Sequence, residues 1–309
     1  MVSIAILLPV YKPNIVWLQE QLNSIAAQTF RGFRCVVSHD GPIPIAISDQ
    51  IYEVLPDSRF KLVLNTKHLG TYRHVDYLIS KYGMTSMFFA LCDQDDVWLP
   101  KKLESQLLRF AHLDVSAVSS NGLIVNESLQ PIRGKGTFDW FGISQKYEHF
   151  GSVRNQLTGA SGLFRSDRLN SVTPFPDNTG KTVHDHWLYI ASVATGGVFF
   201  DSEPQWLYRQ HNGNQIGAAA NSGRLSRLYK GAQKTKDIFR NRCLLKDDPV
   251  IRQGRVFLDA ANERWPSGVL KNDVLSRELS GIDRIRLLRS ETLIGSSLES
   301  LRVAISQQK

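Results

Sequence analysis

The sequence predicts an α/β domain with a mostly parallel sheet between two helical layers, followed by a helical C-terminal region. Three observations carry this. Short, continuously apolar runs recur through the first 125 residues, as expected for strands covered on both faces. Segments with apolar residues at helical spacing separate them. Polar residues follow the runs directly, as at Asp40, Asn65 and Asp93.

Ser3–Tyr11 reads as the first strand, ended by Pro13-Asn14. It lacks a basic leader and is short, so a buried strand is expected rather than a signal peptide. Ile15, Leu18, Leu22 and Ile25 mark a helix. Phe33–Ser38 is a second strand, and Ala46–Leu55 a helix-compatible stretch before a third strand, Phe60–Leu64. A helix near Thr71–Tyr82 precedes a fourth strand, Met87–Leu91, and Lys101–His112 is amphipathic with Pro100 at its first turn. Right-handed crossovers would gather the carboxyl ends of these strands at one rim, where open α/β sheets bind ligands. Beyond residue 115 short strands are expected at Val115–Val125, Gly159–Phe164, Gly197–Asp201 and Trp206–Gln210, with a helix over His184–Ala194. Residues 127–151 read as an irregular loop, and the polar tract His211–Gly223 as a domain boundary. Two regions result: a domain over 1–223 and a helical region over 224–309.

Composition narrows the function classes. Of 309 residues, 42% are hydrophobic and 21% charged, as in globular proteins. Cys35, Cys92 and Cys243 are too few and too scattered for a disulfide framework or a zinc pattern, which favours a reducing, cytoplasmic setting. Residues 1–223 hold 19 basic and 19 acidic side chains, whereas 224–309 hold 18 and 10, so the net charge of +8 lies in the second region. That region faces an anionic partner or is a solvated helical surface. The computed pI of 9.4 raises nucleic-acid binding, but the excess is confined to the tail and no recognition motif stands out. Neither a Gly-x-Gly-x-x-Gly after the first strand nor a phosphate-binding Gly-Lys-Ser/Thr loop is present, which argues against dinucleotide and P-loop enzymes.

Asp93-Gln94-Asp95-Asp96 follows a buried strand. Carboxylates so placed repel one another unless a cation or solvent compensates. Hard divalent ions take such oxygen ligands and bridge to phosphates. The bland reading is an acidic turn. Asp185, at the start of an apparent helix between His184 and His186, meets the positive helix end, which favours the ionised form a general base needs. It would also serve as an ordinary cap.

The chain resembles family 2 glycosyltransferases of the GT-A fold, a Rossmann-like arrangement. The resemblance rests on Leu7-Leu8-Pro9-Val10-Tyr11, Val36–Gly41, Asn65–Arg73, Cys92–Trp98, Thr158–Leu163, His184-Asp185-His186-Trp187 and Tyr208-Arg209-Gln210-His211, over residues 3–217. Asp-Gln-Asp-Asp-Val-Trp with Tyr-Arg-Gln-His is similar to bacterial rhamnosyltransferases. The resemblance implies an inverting transfer from a nucleotide sugar, dTDP-β-L-rhamnose first and a UDP-hexose or galactofuranose donor as alternatives, onto a glycan or lipid-linked glycan. It implies Mg²⁺ or Mn²⁺ on Asp95, with His211 as second ligand or else an exposed loop histidine. Pro9, Tyr11, Asp40, Gly70, Arg73 and Asp93 would contact the donor, and Arg209 its phosphates. Asp185 would be the catalytic base, with Gly159, Ser161 and Trp187 on the acceptor side. The family usually has an acidic residue where His184 stands. A basic tail would hold the enzyme at the inner membrane face, or mediate dimerisation. A non-catalytic sugar-binding homologue is the competing class.

Overall fold

The computed structural model describes residues 2–133, 136–137, 155, 157–177, 184–211 and 249–267. Most of the expected loop at 127–151, and of the C-terminal region apart from 249–267, lies outside the described residues. The chain forms β1 (Ile4–Val10), α1 (Ile15–Ala26), β2 (Phe33–His39), α2 (Ile45–Glu53), β3 (Phe60–Leu64), α3 (Gly70–Lys81), β4 (Phe88–Leu91), β5 (Val97–Trp98), α4 (Lys102–His112), β6 (Ala117–Val125), β7 (Gly162–Arg165), α5 (His184–Thr195), β8 (Val198–Arg209) and α6 (Pro249–Arg264).

One sheet runs in the order β3-β2-β1-β4-β7-β6-β8-β5. The β3-β2-β1-β4 half is parallel, as the alternation of strand and helix predicts. β7 is antiparallel to both β4 and β6, which turns the second half around. The two strands expected at Gly197–Asp201 and Trp206–Gln210 are one strand, β8. It pairs parallel with β6, with register shifts at Ser120/Asn121 and Asn121/Gly122. Such irregularities bend a strand without ending it, so a broken hydrophobic pattern hides a continuous element. The two-residue β5 went unforeseen, because a Val-Trp pair carries no periodicity. It pairs antiparallel with Leu207 and Trp206 of β8.

Both faces of the sheet are buried, and β1 shows why its sequence is apolar throughout. Ala5 and Leu7 join a core with α3, α5 and α6, while Ile4, Ile6, Leu8 and Val10 join a second core with α1, α2 and α4. Phe257, Leu258 and Ala261 of α6 belong to the first core. Arg264 donates to the carbonyls of Ser171, Val172 and Pro174. One helix of the expected C-terminal region therefore packs as part of the N-terminal domain.

The second face contains a buried polar cluster. Lys102 is fully buried. Its Nζ lies 4.3 Å from the Trp98 ring centroid and donates to Gln106 Oε1 at 3.0 Å and to the Ser161 carbonyl at 3.4 Å. Gln106 and Ser120 donate to that same carbonyl. The cluster pins the Gly159–Ser161 turn at the start of β7. Burial pushes the Lys102 ammonium down to about 7. Between pH 7 and about 10.4 the unfolded chain then holds a proton at this residue that the folded chain lacks, so stability rises with pH in that window, by at most about 1.4 kcal/mol per pH unit. Lys102→Met is expected to flatten this slope. Urea unfolding at pH 7, 8.5 and 10 checks it; parallel slopes in the two proteins refute it.

Candidate functional site

The acidic run sits at the carboxyl end of β4, beside the end of β1. Gln94 ties it there: the Tyr11 amide donates to Gln94 Oε1 at 2.9 Å, and Gln94 Nε2 donates back to the Tyr11 carbonyl at 3.1 Å. Beyond the run, Trp98 is buried and its amide donates to Ser24 Oγ of α1 at 3.0 Å. The loop is thus fixed at both ends by partners distant in sequence.

Each carboxylate meets a different environment. Asp96 is fully buried and accepts the Arg209 amide at 3.0 Å. Burial, with the charges of Asp93 and Asp95, pushes its carboxyl well above the usual range, against the opposing pull of Arg209. Asp95 Oδ2 lies 2.7 Å from His211 Nε2, just past the end of β8. Asp93 has an accessible surface within a dense shell of protein. Dehydration, then the charges of Asp95 and Asp185, push it up to about 7, against the opposing pull of His184. The carboxylate repulsion is the cause that a bound cation would reverse.

Asp95 and His211 fit a hard divalent ion. Their ligating atoms converge from two separate strand ends, and the surrounding charge is negative. Among the described residues no group of three or more His, Cys, Asp or Glu side chains could hold a metal unaided. An ion here would fill its remaining positions with phosphate oxygens and water, as Mg²⁺ commonly does.

Asp185 stands in the first turn of α5. Its Oδ1 is 2.6 Å from His184 Nε2, and both side chains are largely buried. The approach is too bent to satisfy Oδ1 as an aligned hydrogen bond, so the contact is chiefly one of charges. A Cβ on Gly159 would lie 2.7 Å from Asp185 Oδ1 and 2.9 Å from His184 Nε2. Gly159, expected on the acceptor side, is the residue whose missing side chain makes room for the pair.

Several expected roles are corrected by position. Arg209 is 1% exposed. Its Nε donates to the Asp95 carbonyl at 2.7 Å, and its two terminal nitrogens bond the Glu127 carbonyl and the Glu20 carboxylate. Its guanidinium lies over the Trp17 ring at 5.2 Å. It is a rivet beneath the acidic loop rather than a phosphate ligand. Trp187 is fully buried, donates to the Val172 carbonyl at 2.9 Å and packs on Phe257 and Trp265, so it is core and not a sugar wall. Ser161 is buried, with Oγ 2.6 Å from Ser119 Oγ, and supports its turn from beneath. Arg73 reaches the Phe175 carbonyl at 2.7 Å and Asp177 at 3.3 Å, so its guanidinium is engaged with the segment after β7.

At the end of β2, Asp40 accepts the amides of Leu69 at 2.7 Å and Gly70 at 2.9 Å. Gly70, at φ +75°, begins α3 in a conformation that favours glycine. Pro9 pairs with Ser38 inside the sheet. Tyr11 is exposed and packs on His68, ring centroids 4.7 Å apart, forming an aromatic step above Asp40. Reading the sequence missed His68, Gln94, Trp17 and Glu20. His68 and Gln94 carried a signal, their places inside Asn65–Arg73 and Cys92–Trp98; Trp17 and Glu20 sit where ordinary surface residues are expected.

Arg209→Lys keeps the charge but loses the planar fork that bonds three segments. It is expected to weaken Mn²⁺ binding about tenfold or more, the usual cost of losing a group that orients a ligand. Isothermal titration calorimetry measures this, and unchanged affinity in a folded variant would count against the rivet.

Comparison with known proteins gives this geometry its setting. The profile of Glycosyl transferase family 2 matches residues 5–171. A dTDP-rhamnosyl transferase of Shigella flexneri, RfbG, is 22% identical over 269 residues, covering 84% of this chain and 89% of that protein. Among solved structures, Staphylococcus aureus TarS 1–349 in complex with UDP-GlcNAc aligns with a TM-score of 0.53 at 12% identity, covering 97% of this chain and 83% of that one. At that identity the likeness speaks for the fold, which is GT-A. The profile spans more than half of the chain, and it includes β1, the aromatic step, the acidic run and the Gly159 turn: this protein belongs to glycosyl transferase family 2.

Proposed function

We propose that this glycosyltransferase moves a sugar, with inversion, from a nucleotide donor to a hydroxyl of a growing bacterial surface polysaccharide, with dTDP-β-L-rhamnose as the favoured donor. The observation that carries the reading is the set of two aspartate–histidine contacts near Asp93. Asp95 meets His211, Asp185 meets His184, and both carboxylates act on Asp93. The likeness to RfbG supports the choice of donor.

The chemistry asks for two things. Charge on the departing nucleoside diphosphate must be neutralised, and the acceptor hydroxyl must lose its proton. Asp95 and His211 would hold Mg²⁺ or Mn²⁺, which supplies Lewis acidity at the diphosphate. Asp93 would orient the donor's sugar or ribose. Tyr11 and His68 offer a flat surface to the base. Asp185 would accept the acceptor's proton as its oxygen bonds the anomeric carbon and the carbon–oxygen bond to the diphosphate breaks. One displacement, with no covalent intermediate on a protein carboxylate, would give inversion, by analogy with the two glycosidase geometries.

No helix among the described residues is long and apolar enough to cross a membrane. The basic excess of residues 224–309 suits peripheral contact with anionic lipid at the cytoplasmic face, at about 1 kcal/mol per basic residue near the surface.

A screen of nucleotide sugars with Mn²⁺ or Mg²⁺, reading nucleoside diphosphate release, is expected to favour dTDP-β-L-rhamnose and to give an α-linked product by NMR. Release from another donor alone would sink the rhamnosyl reading, and a β-linked product the inversion. In the same assay Asp185→Asn is expected to lower kcat by about 10²-fold or more; full activity would remove it as the base. The full chain is expected to co-sediment with anionic vesicles and to be released by salt. No difference between anionic and neutral vesicles would argue against membrane contact.

A further inference from the structure

His184 stands beside the candidate base, and its surroundings give it a task. Neighbouring residues on a helix do not ordinarily face each other. Here Nε2 of His184 and Oδ1 of Asp185 stand 2.6 Å apart, which the first turn of α5 and the bare face of Gly159 permit together. The turn is shaped around the pair. Its own anchor is the buried Lys102–Gln106–Ser120 cluster holding the Ser161 carbonyl. The charged groups acting on the imidazole are Asp185, from its own helix, and Asp93, from the end of β4. The Gly159–Ser161 turn packed against it brings no charge.

We propose that His184 is a positioning residue that holds the Asp185 side chain in place beside the carboxylates of the acidic run. This rests on reading Asp185 as the base. Without a partner for Asp185, its repulsion with Asp93 would turn the Asp185 side chain away from the acidic run. An acidic residue at position 184 would need that compensation from elsewhere. This chain supplies it within the pair. Burial alone would lower the histidine, but the charge and contact of Asp185, with Asp93, outweigh it and raise His184 above its ordinary value. The supporting charge is therefore present below that raised value and lost as pH rises through it.

Side-chain ¹⁵N NMR of the full chain tests this without any donor. The His184 ring is expected to titrate above an ordinary histidine, and to fall in Asp185→Asn. Kinetics on the donor turned over best by the wild-type protein then test the consequence. The wild-type kcat/KM is expected to decline on the alkaline side at the pH where the ring titrates. His184→Gln should lose that decline together with part of the rate. His184→Glu, similar in shape to Gln but bringing another carboxylate, should lose about 10²-fold, the scale of a misplaced reacting group. If His184→Glu does not fold, the Gln variant and the NMR titration still decide. A ring that titrates at or below the ordinary value and ignores Asp185→Asn overturns the proposal, as does a Gln variant with the wild-type profile. An Asp185→Asn protein of full activity removes the base instead, and leaves the charge pairing to be judged by NMR alone.

Discussion

Carboxylates crowd one edge of the sheet, and like charges so close do not coexist without compensation. Asp93, Asp95 and Asp96 come from one loop, and Asp185 from a helix more than 80 residues away. Each is treated differently. Asp96 is buried, its carboxyl pushed upward by that burial, with its Oδ1 taking the Arg209 amide. Asp95 is met by His211, and Asp185 by His184. Asp93 feels Asp95, Asp185 and His184, is raised toward neutrality and is open to solvent. Much of the surrounding architecture follows from keeping this arrangement fixed.

Arg209 shows how the cost is met. A buried guanidinium is stable only when its donors are used. Here they reach the acidic loop, the segment after β6 and α1, so the cation ties three parts of the chain beneath the carboxylates. β8 delivers it because the strand continues past its bend to Arg209, and His211 follows two residues later. On the other side, the cluster under the Gly159 turn does comparable work with a lysine whose charge burial weakens. Rigid support on both sides suits an enzyme that must hold a donor and an acceptor in line.

The C-terminal portion divides into unlike parts. α6 contributes Phe257, Leu258 and Ala261 to the core that contains Trp187, and Arg264 fastens it to the segment after β7. Its place is structural. The basic surplus of residues 224–309 is then a property of a region anchored to the catalytic domain by at least one helix.

The sequence by itself determined the parallel half of the sheet, because strands buried on both faces must be apolar throughout and their helices must show one apolar stripe. It also marked Asp93, Asp95, Asp185 and His211, because those side chains stand directly at the ends of such elements. Tertiary structure alone decided what each polar group meets. Arg209 and Trp187 lie beside site residues in sequence, yet burial assigns one to a rivet and the other to the core. The continuity of β8, the support from Gln94 and Glu20, and the fit of His184 and Asp185 over Gly159 rest on contacts between distant segments. No local pattern encodes them, since a side chain's role depends on which charges and cavities the fold brings to it.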